Sequence, residues 1–299
     1  MLLVVAESSG SSPGRAGYKM AVAADGELTG SIGGGVMEVR LVEQAKLKSA
    51  ISNPKSEIFQ QVHQKNSPHS SGMICSGKQT VIISTLFPAD LVTVQQIIEC
   101  LAKHDPVLFE ISNLRFEIMQ NTEENTAISF TKTNETEFVY RERLGYKHKL
   151  FIIGGGHCAL ALSELMSKMD FCIHIFDDRN ELNTIDKNRF ADQIEIVKSY
   201  EEIADHIPSA ANSYVVVMTL GYAFDKIVIQ QLLDKDFKYF GVLGSKAKMA
   251  TLMKELKAEG FDDAKLNQIH TPIGLPINSR TPEEIAVSIA AEIIAVKNA

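Results

Sequence analysis

The pattern of apolar and polar positions differs between the two halves of the chain. From residue 149 onward, short apolar runs alternate with segments whose apolar residues recur at helical spacing. Because strands that alternate with helices form parallel sheets, the pattern predicts a doubly wound α/β domain here. Its predicted strands are Leu150–Ile153, Phe171–Phe176, Gln193–Val197, Tyr214–Met218 and Tyr239–Val242.

The residues before 132 follow a more mixed pattern and predict a separate α/β domain. A turn at Asp25-Gly26 is typical of a hairpin. The predicted helices are Met37 to about Ser52 and Asp90–Lys103. The predicted strands are Met1–Glu7, Lys19–Ala24, Leu28–Ile32, Gly77–Leu86, Val107–Ile111 and Arg115–Gln120.

A polar, charged stretch at 132–148 separates the two patterns and is predicted to be a linker. The predicted domains are 1–138 and 139–299, and a chain of 299 residues is long enough for both.

Charge and hydropathy narrow the class of partner. Lys and Arg total 30 against 37 Asp and Glu, and the net charge of −7 argues against nucleic acid or an anionic membrane as the main partner. No apolar run reaches the roughly 18 residues that span a bilayer. The first residues, MLLVVAESSG, lack the basic segment of a signal peptide, so we expect a cytoplasmic protein.

A glycine fingerprint opens the second domain. Gly154, Gly156 and Ala159 follow the first predicted strand in a GxGxxA arrangement, which allows a tight turn and lets a pyrophosphate approach the backbone. Asp177 ends the next strand, 21 residues after Gly156, where a ribose-binding acid is expected. With Asp178 beside it, the site would favour NAD over NADP. The alternative is a Rossmann-like domain that packs through these glycines and binds nothing.

Two further positions of the second domain fall at the carboxyl ends of predicted strands, where ligands bind in such sheets. His157 follows the fingerprint glycines, and Gly244-Ser245 follows the last strand. Lys246 and Lys248 could meet phosphate, or they could be the exposed start of a helix.

The first domain has its own glycine turn, which enters a helix. Backbone N–H groups of such a turn, together with the helix N-terminus, are directed at an anion. Hydroxyls and cations lie upstream, so the segment suits a phosphate, although two tight turns with solvated charges would look the same. The residues concerned are Gly33, Gly34 and Gly35, with Ser11, Ser12, Arg15 and Lys19 upstream.

Four cysteines are present, without CxxC or metal-ligand spacing, so reduced thiols are expected. Cys100 and Cys172 fall in apolar patterns, and burial is the simpler interpretation for Cys158. Cys75 lies in a Gly/Ser-rich turn, where a thiolate could contact a soft metal or the residue could simply precede a strand.

Taken together, these motifs resemble the XdhC/CoxI family, which are accessory factors for molybdenum hydroxylases such as xanthine dehydrogenase. The resemblance covers nearly the whole chain. It rests on GSSPGRAGYKM (10–20), DGELTGSIGGGVMEV (25–39), GMICSGK (72–78), FIIGGGHCALAL (151–162), FDDR (176–179), YFGVLGSKAK (239–248) and PIGLPINSRTPEEIAVSIAAEII (272–294).

The resemblance implies a protein that binds the molybdenum cofactor (molybdopterin), protects it during sulfuration and delivers it to an apo xanthine dehydrogenase-like hydroxylase. It further implies a cysteine desulfurase as partner, a homodimer, and an accessory protein in place of an enzyme. The implied cofactor-binding residues are Ser11, Ser12, Arg15, Lys19, Gly33, Gly34, Gly35, Glu38, Cys75, Gly154, Gly156, His157, Asp177, Asp178, Gly244 and Ser245.

The sequence departs from the family pattern in four places. Val36 stands where Cys is common, and Thr219 is followed by Leu-Gly where His-Asp is common. Pro276 and Asn278 stand where Asp and Gly are usual, and Met1 opens almost directly on the first predicted strand, which a helix usually precedes in the family.

Two other functions fit the fingerprint of the second domain. The first is an NAD-dependent oxidoreductase, although no Tyr-x-x-x-Lys or similar hydride-transfer set stands out. The second is a regulatory nucleotide-binding module. The activity of xanthine dehydrogenase itself is not expected, because the chain lacks the cysteine clusters of iron–sulfur centres.

Overall fold

The computed structural model describes residues 1–48, 56–62, 77–102, 107–119, 127–134, 137–145 and 148–299. The chain divides into two compact units, Met1–Gly145 and Tyr146–Ala299. Both combine helices with sheets, so the predicted α/β class is confirmed. Within the described residues, no helix has the length and hydropathy needed to cross a bilayer.

The first sheet of unit 1 is antiparallel throughout, with the strand order β3-β2-β1-β5-β4. The central strand, β1, is apolar on both faces because both faces are covered. Leu3 and Val5 pack on the side of helix α1, whereas Val4 and Ala6 pack on the opposite side. The elements are β1 Leu2–Gly10, β2 Lys19–Val22, β3 Leu28–Gly30, α1 Gly35–Lys48, β4 Ser56–Val62 and β5 Gly77–Ser84.

A second antiparallel sheet, of order β7-β6-β9-β8, covers the other face of the first one. Phe109, Ile111 and Tyr140 of this sheet share a core with Val4 and Ile82 of the first sheet. The elements are α2 Leu91–Ala102, β6 Val107–Ser112, β7 Phe116–Met119, β8 Ile128–Lys132 and β9 Phe138–Leu144. The predicted helices and hairpin are present, and their predicted ends at 49–52, 103 and 120 lie outside the described residues.

The expected linker at 132–148 is wrong over Phe138–Leu144, which form β9 of unit 1. The charged residues of this strand made it resemble a linker in the sequence, but in the structure they are paired. Glu142 is 4% exposed, and its Oε2 accepts hydrogen bonds from Lys19 Nζ and Tyr140 Oη, each at 2.5 Å. Arg141 Nε donates to Glu110 Oε2 at 2.7 Å. Pairing offsets the cost of burying these charges, so charged residues at these positions do not exclude a strand.

Unit 2 has a parallel sheet of order β12-β11-β10-β13-β14, and all five predicted strands are present. Helices α3 and α9 pack on one face, and α5 to α8 pack on the other, as a doubly wound sheet requires. The strands are β10 His148–Ile153, β11 Phe171–Asp177, β12 Gln193–Ile196, β13 Ala210–Val217 and β14 Phe237–Val242. The helices are α3 His157–Met166, α4 Asn183–Lys187, α5 Ile203–His206, α6 Tyr222–Leu232, α7 Lys246–Ala258, α8 Asp263–Leu266 and α9 Pro282–Asn298.

The strand order of unit 2 reverses between β10 and β13. The chain runs outward from β10 to β12 on one side, then returns to place β13 on the other side of β10. At such a switch point the connections leave in opposite directions and open a crevice at the carboxyl ends of the strands.

Glu142→Ala should destabilise unit 1, because it leaves the buried Tyr140 hydroxyl and the Lys19 ammonium without their partner. We expect the free energy of unfolding to fall by about 3 kcal/mol in equilibrium urea denaturation. Glu117→Ala is the control, since it breaks a largely exposed pair with Arg115 and should cost below about 1 kcal/mol. Equal effects of the two substitutions would contradict the role given to Glu142.

Candidate functional site

Three glycine-rich segments of unit 1 meet backbone to backbone. A Cβ on Gly14 would lie 2.1 Å from the Ile32 carbonyl oxygen, and one on Gly33 would lie 2.4 Å from Gly14 N. A Cβ on Gly77 would lie 2.5 Å from Ser12 N. Because real Cβ atoms do not approach so closely, only glycine allows this packing. The fold thus brings together segment 10–20, segment 25–39 and residues 77–78, which are the described part of segment 72–78.

The glycine turn before α1 holds a carboxylate of its own chain. The glycines at 33–35 have φ angles of 125°, 74° and 71°. Ile32 N and Gly34 N both donate to Glu38 Oε2 at 2.9 Å, and the Ser31 hydroxyl donates at 2.7 Å. Burial alone would raise the pKa of Glu38, but these hydrogen bonds hold it below its ordinary value. The turn therefore has the donors of an anion site, and Glu38 accepts from them.

Two predicted ligand residues of unit 1 are bound within the protein. The Ser12 hydroxyl is buried and donates to Gln79 Oε1 at 2.9 Å. Lys19 pairs with the buried Glu142 and donates to the Gly17 carbonyl oxygen at 2.9 Å. Both side chains connect segments that are far apart in sequence, which gives each a structural role.

Other predicted residues remain accessible beside this turn. Ser11 and Arg15 are exposed, and Arg15 Nη1 donates a long hydrogen bond, of 3.4 Å, to the Gly10 carbonyl oxygen. A Cβ on Gly34 would meet nothing within 4 Å, so the space above it is open. Val36, at the usual Cys position, is 49% exposed in the first turn of α1. Cys75 lies outside the described residues.

The fingerprint glycines of unit 2 divide their roles as the motif predicts. Gly154 has a φ of 109°, and a Cβ there would lie 2.3 Å from the Met218 carbonyl oxygen of the neighbouring segment. Gly156 precedes α3, and a Cβ there would meet nothing within 4 Å. The first glycine therefore permits the close turn, whereas the second leaves the helix N-terminus open.

Asp177 is fully buried, and both of its carboxylate oxygens already accept two hydrogen bonds, so it cannot bind a ribose hydroxyl. Its Oδ2 accepts from Gly155 N at 2.6 Å and from Arg179 Nη2 at 2.8 Å. Its Oδ1 accepts from Arg179 Nε at 2.8 Å and from Arg179 N at 2.9 Å. Burial alone would raise the pKa of Asp177, and the Arg179 and Gly155 contacts hold it below its ordinary value. Asp178, with 24% of its side chain exposed, is the acid that still faces solvent.

The role of Arg179 was missed from the sequence, although its position two residues after Asp177 was a usable signal. A cation at this spacing can fold back on the carboxylate in a bidentate pair.

Gly244 and Ser245 have structural explanations. Ser245 is the N-cap of α7 and accepts a hydrogen bond from Lys248 N at 3.3 Å. A Cβ on Gly244 would lie 2.5 Å from Met249 Cε. Lys248 Nζ lies 2.9 Å from Asp225, which is 1% exposed and was not predicted. This lysine is thus paired inside the unit.

Two of the departures from the family pattern are accommodated locally. Asn278 has a φ of 58°, a conformation that Asn tolerates better than most residues other than Gly. The Thr219 hydroxyl donates to Asp225 Oδ1 at 2.6 Å, so a polar contact persists after β13.

The remaining predicted contacts of unit 2 lie in the first turn of α3. His157 is exposed, whereas Cys158 is half-buried. Burial, together with the nearby carboxylate of Glu283, raises the pKa of Cys158, so its thiol stays protonated near neutral pH. Across the described residues, no group of three or more His, Cys, Asp or Glu side chains could hold a metal ion.

Two family models match this chain. One, the XdhC and CoxI family, matches residues 1–55, and the other, the XdhC Rossmann domain, matches residues 150–293. Together they cover about two thirds of the sequence. The chain belongs to the XdhC/CoxI family. The family assignment predicted from the motifs is confirmed.

Two curated proteins are similar to this chain in sequence. An uncharacterised Escherichia coli protein, YqeB, is 23% identical over 98% of this chain and 43% of its own length. A Bacillus subtilis protein, named as a probable subunit of xanthine dehydrogenase, is 28% identical over 54% of this chain and 46% of its own length. This chain thus spans less than half the length of these curated relatives.

The fold has a solved counterpart. A crystal structure from Bacillus halodurans, described as a xanthine dehydrogenase, superposes with a TM-score of 0.74 at 21% identity, covering 99% of this chain and 91% of that one. At this level of identity the likeness shows a shared fold.

Glu38→Gln should lower the free energy of unfolding by about 1 kcal/mol at pH 7, because a neutral amide accepts less strongly than a carboxylate. The folded-state pKa of Glu38 is lowered, so its stabilising effect is complete above the ordinary carboxylate range and is lost as the pH falls through the lowered value. The difference from wild type should therefore shrink in acid.

Thermal or urea unfolding from pH 7 to pH 3 measures this difference. Glu43→Gln, on the exposed face of the same helix, is the control. A Glu38→Gln deficit that stays constant down to pH 3 would show that the carboxylate charge is not responsible.

Proposed function

We propose that this chain is an accessory factor that binds the molybdenum cofactor, protects it during sulfuration and delivers it to an apo xanthine dehydrogenase-like hydroxylase. Family membership and the similarity to a protein named as a probable part of xanthine dehydrogenase support a role in the maturation of such an enzyme. The structural observation that carries the proposal is the convergence of the glycine-rich segments of unit 1. The proposal includes a cysteine desulfurase as a further partner, a homodimer as the working unit, and a cytoplasmic location.

The donors of the glycine turn fit the phosphate end of this cofactor. Ile32 N and Gly34 N already bind one anionic oxygen, that of Glu38, at ordinary hydrogen-bond length. The space above Gly34 is open, and the exposed Arg15 lies in the segment that packs against the turn. A phosphate oxygen presents the same chemistry to these N–H groups as a carboxylate oxygen. The cofactor would supply the molybdenum centre of the client enzyme.

Binding through this turn requires Glu38 to give way. A phosphate at the turn would compete with the Glu38 carboxylate for Ile32 N and Gly34 N, and the two anions would repel each other. Glu38 is only partly buried, so its side chain can rotate into solvent, where water replaces its donors. Arg15 would then supply the compensating positive charge. Glu38 thus acts as an internal occupant that keeps the turn ordered until an anion enters.

The metal end of the cofactor needs a different contact. We assign Cys75 to it, because a thiolate is a soft ligand and Val36 provides none at the position where the family commonly has Cys. The same segment contains Gly77, which packs on the Ser12 backbone two residues before Gly14, and Gly14 in turn contacts the glycine turn.

Gly34→Asp should abolish retention of the cofactor, because it adds a second carboxylate at the open side of the turn. Gly34→Asn is the matched control, since both residues tolerate the φ of 74° and only Asp carries a charge. We expect at least a tenfold loss of affinity for Asp and a much smaller loss for Asn, measured by anaerobic desalting followed by assay of bound pterin. Equal retention by both variants, with circular dichroism unchanged, would remove this turn from the cofactor site.

A further inference from the structure

Two helices begin at the switch point of unit 2, and both have open N-termini. Helix α3 follows Gly156 and helix α6 follows Gly221; neither first turn is capped by a side chain. A Cβ on either glycine would meet nothing within 4 Å. The acid in the first turn of α6, Asp225, is paired with Lys248, which offsets its charge. Unsatisfied N–H groups of two helices are thus free to bind an anionic group that enters the crevice.

A buried hydroxyl next to this crevice also lacks a partner. Tyr200 is 3% exposed, and within the described part of the chain its Oη has no hydrogen-bond partner. Tyr200 shares a core with Phe176 and Val217, which lie at or next to the carboxyl ends of β11 and β13. Burial, together with the charges of Asp177 and Asp178, raises the pKa of this hydroxyl. The backbone of Asp178 lies close enough to the Tyr200 hydroxyl to lower this pKa in part, but the two groups do not meet the geometry of a hydrogen bond. A buried hydroxyl without a partner is costly, and a ligand hydroxyl at this edge would relieve that cost.

An apolar surface borders the same edge of the sheet. Leu220 is 73% exposed and Phe224 is 38% exposed, both close to the start of α6. The Phe224 ring lies 5.8 Å from the Tyr200 ring in an edge-to-face contact. An exposed aromatic face beside open N–H groups suits a ligand that has a flat base at one end and a diphosphate at the other.

We propose that unit 2 binds a ligand containing adenosine diphosphate, of the NAD type, across this crevice. The diphosphate lies on the N-termini of α3 and α6, the ribose hydroxyls bind Asp178, and the base packs against Phe224. Asp177 is a positioning residue that ties the glycine turn to Arg179. Because Asp178 is accessible and negatively charged, NAD is preferred over NADP. This site is proposed within unit 2 and the molybdenum cofactor site within unit 1, and neither proposal rests on the other.

Calorimetric titration of the full chain with NAD, NADP, ADP and inorganic pyrophosphate tests the site. Gly156→Val should weaken all four ligands at least tenfold, because its side chain fills the space through which the diphosphate approaches. The φ of −72° and the absence of neighbours within 4 Å allow valine without strain, so the fold should be retained. Ala258→Val, on the exposed last turn of α7, is the control and should bind as wild type.

The two neighbouring acids separate ribose recognition from positioning. Asp178→Asn should weaken NAD and ADP about tenfold, leave pyrophosphate unchanged and reduce the preference for NAD over NADP. Asp177→Asn should instead lower the melting temperature of the ligand-free protein, because Gly155 N and Arg179 lose their charged partner.

Three results would overturn the proposal. The first is that folded wild-type protein binds none of the four ligands at millimolar concentration. The second is that Gly156→Val binds as tightly as wild type. The third is that pyrophosphate binds as tightly as ADP and NAD, which would mean an adventitious anion site with no nucleotide recognition. None of these results bears on cofactor binding in unit 1, which Gly34→Asp tests separately.

Discussion

The close backbone contact between the glycine-rich segments of unit 1 is the constraint on which the proposed cofactor site depends. Gly14, Gly33 and Gly77 each approach another segment at a distance that no side chain permits. This packing fixes the turn before α1 in a conformation with positive φ angles, and its N–H groups consequently point at one acceptor. Without it, the donors would have no common direction, and neither Glu38 nor a phosphate could bind them together.

Each unit directs a glycine turn at a carboxylate of its own chain, but the two carboxylates differ in how easily they can leave. Glu38 is partly exposed and is held by neutral donors, so a stronger anion can replace it. Asp177 is fully buried and is held on both oxygens by Arg179, so a ligand cannot displace it at acceptable cost. The anion bound at the turn of unit 1 can therefore be exchanged. In unit 2 the carboxylate holds the turn in place, and the proposed ligand would bind the helix N-termini beside it.

The fold and the place of both turns could be predicted from the sequence, because glycine spacing and apolar runs are local signals. The roles of single side chains could not, since they depend on partners that are distant in the chain. Ser12 and Lys19 looked like ligand residues, but they are bound to Gln79 and Glu142. Strand β9 looked like a linker because its charges could not be seen to be paired. Asp177 was predicted to bind a ribose hydroxyl. Only the conformation of Arg179 shows that the acceptor positions of its carboxylate are already occupied.

Competition between ligands tests the central claim most directly. The purified full chain would be loaded with the molybdenum cofactor under anaerobic conditions, and bound pterin would be measured with and without excess NAD. Since the cofactor is assigned to unit 1 and the nucleotide to unit 2, we predict that the cofactor is retained in both cases. Failure to retain the cofactor at all, or its displacement by NAD, would contradict the account.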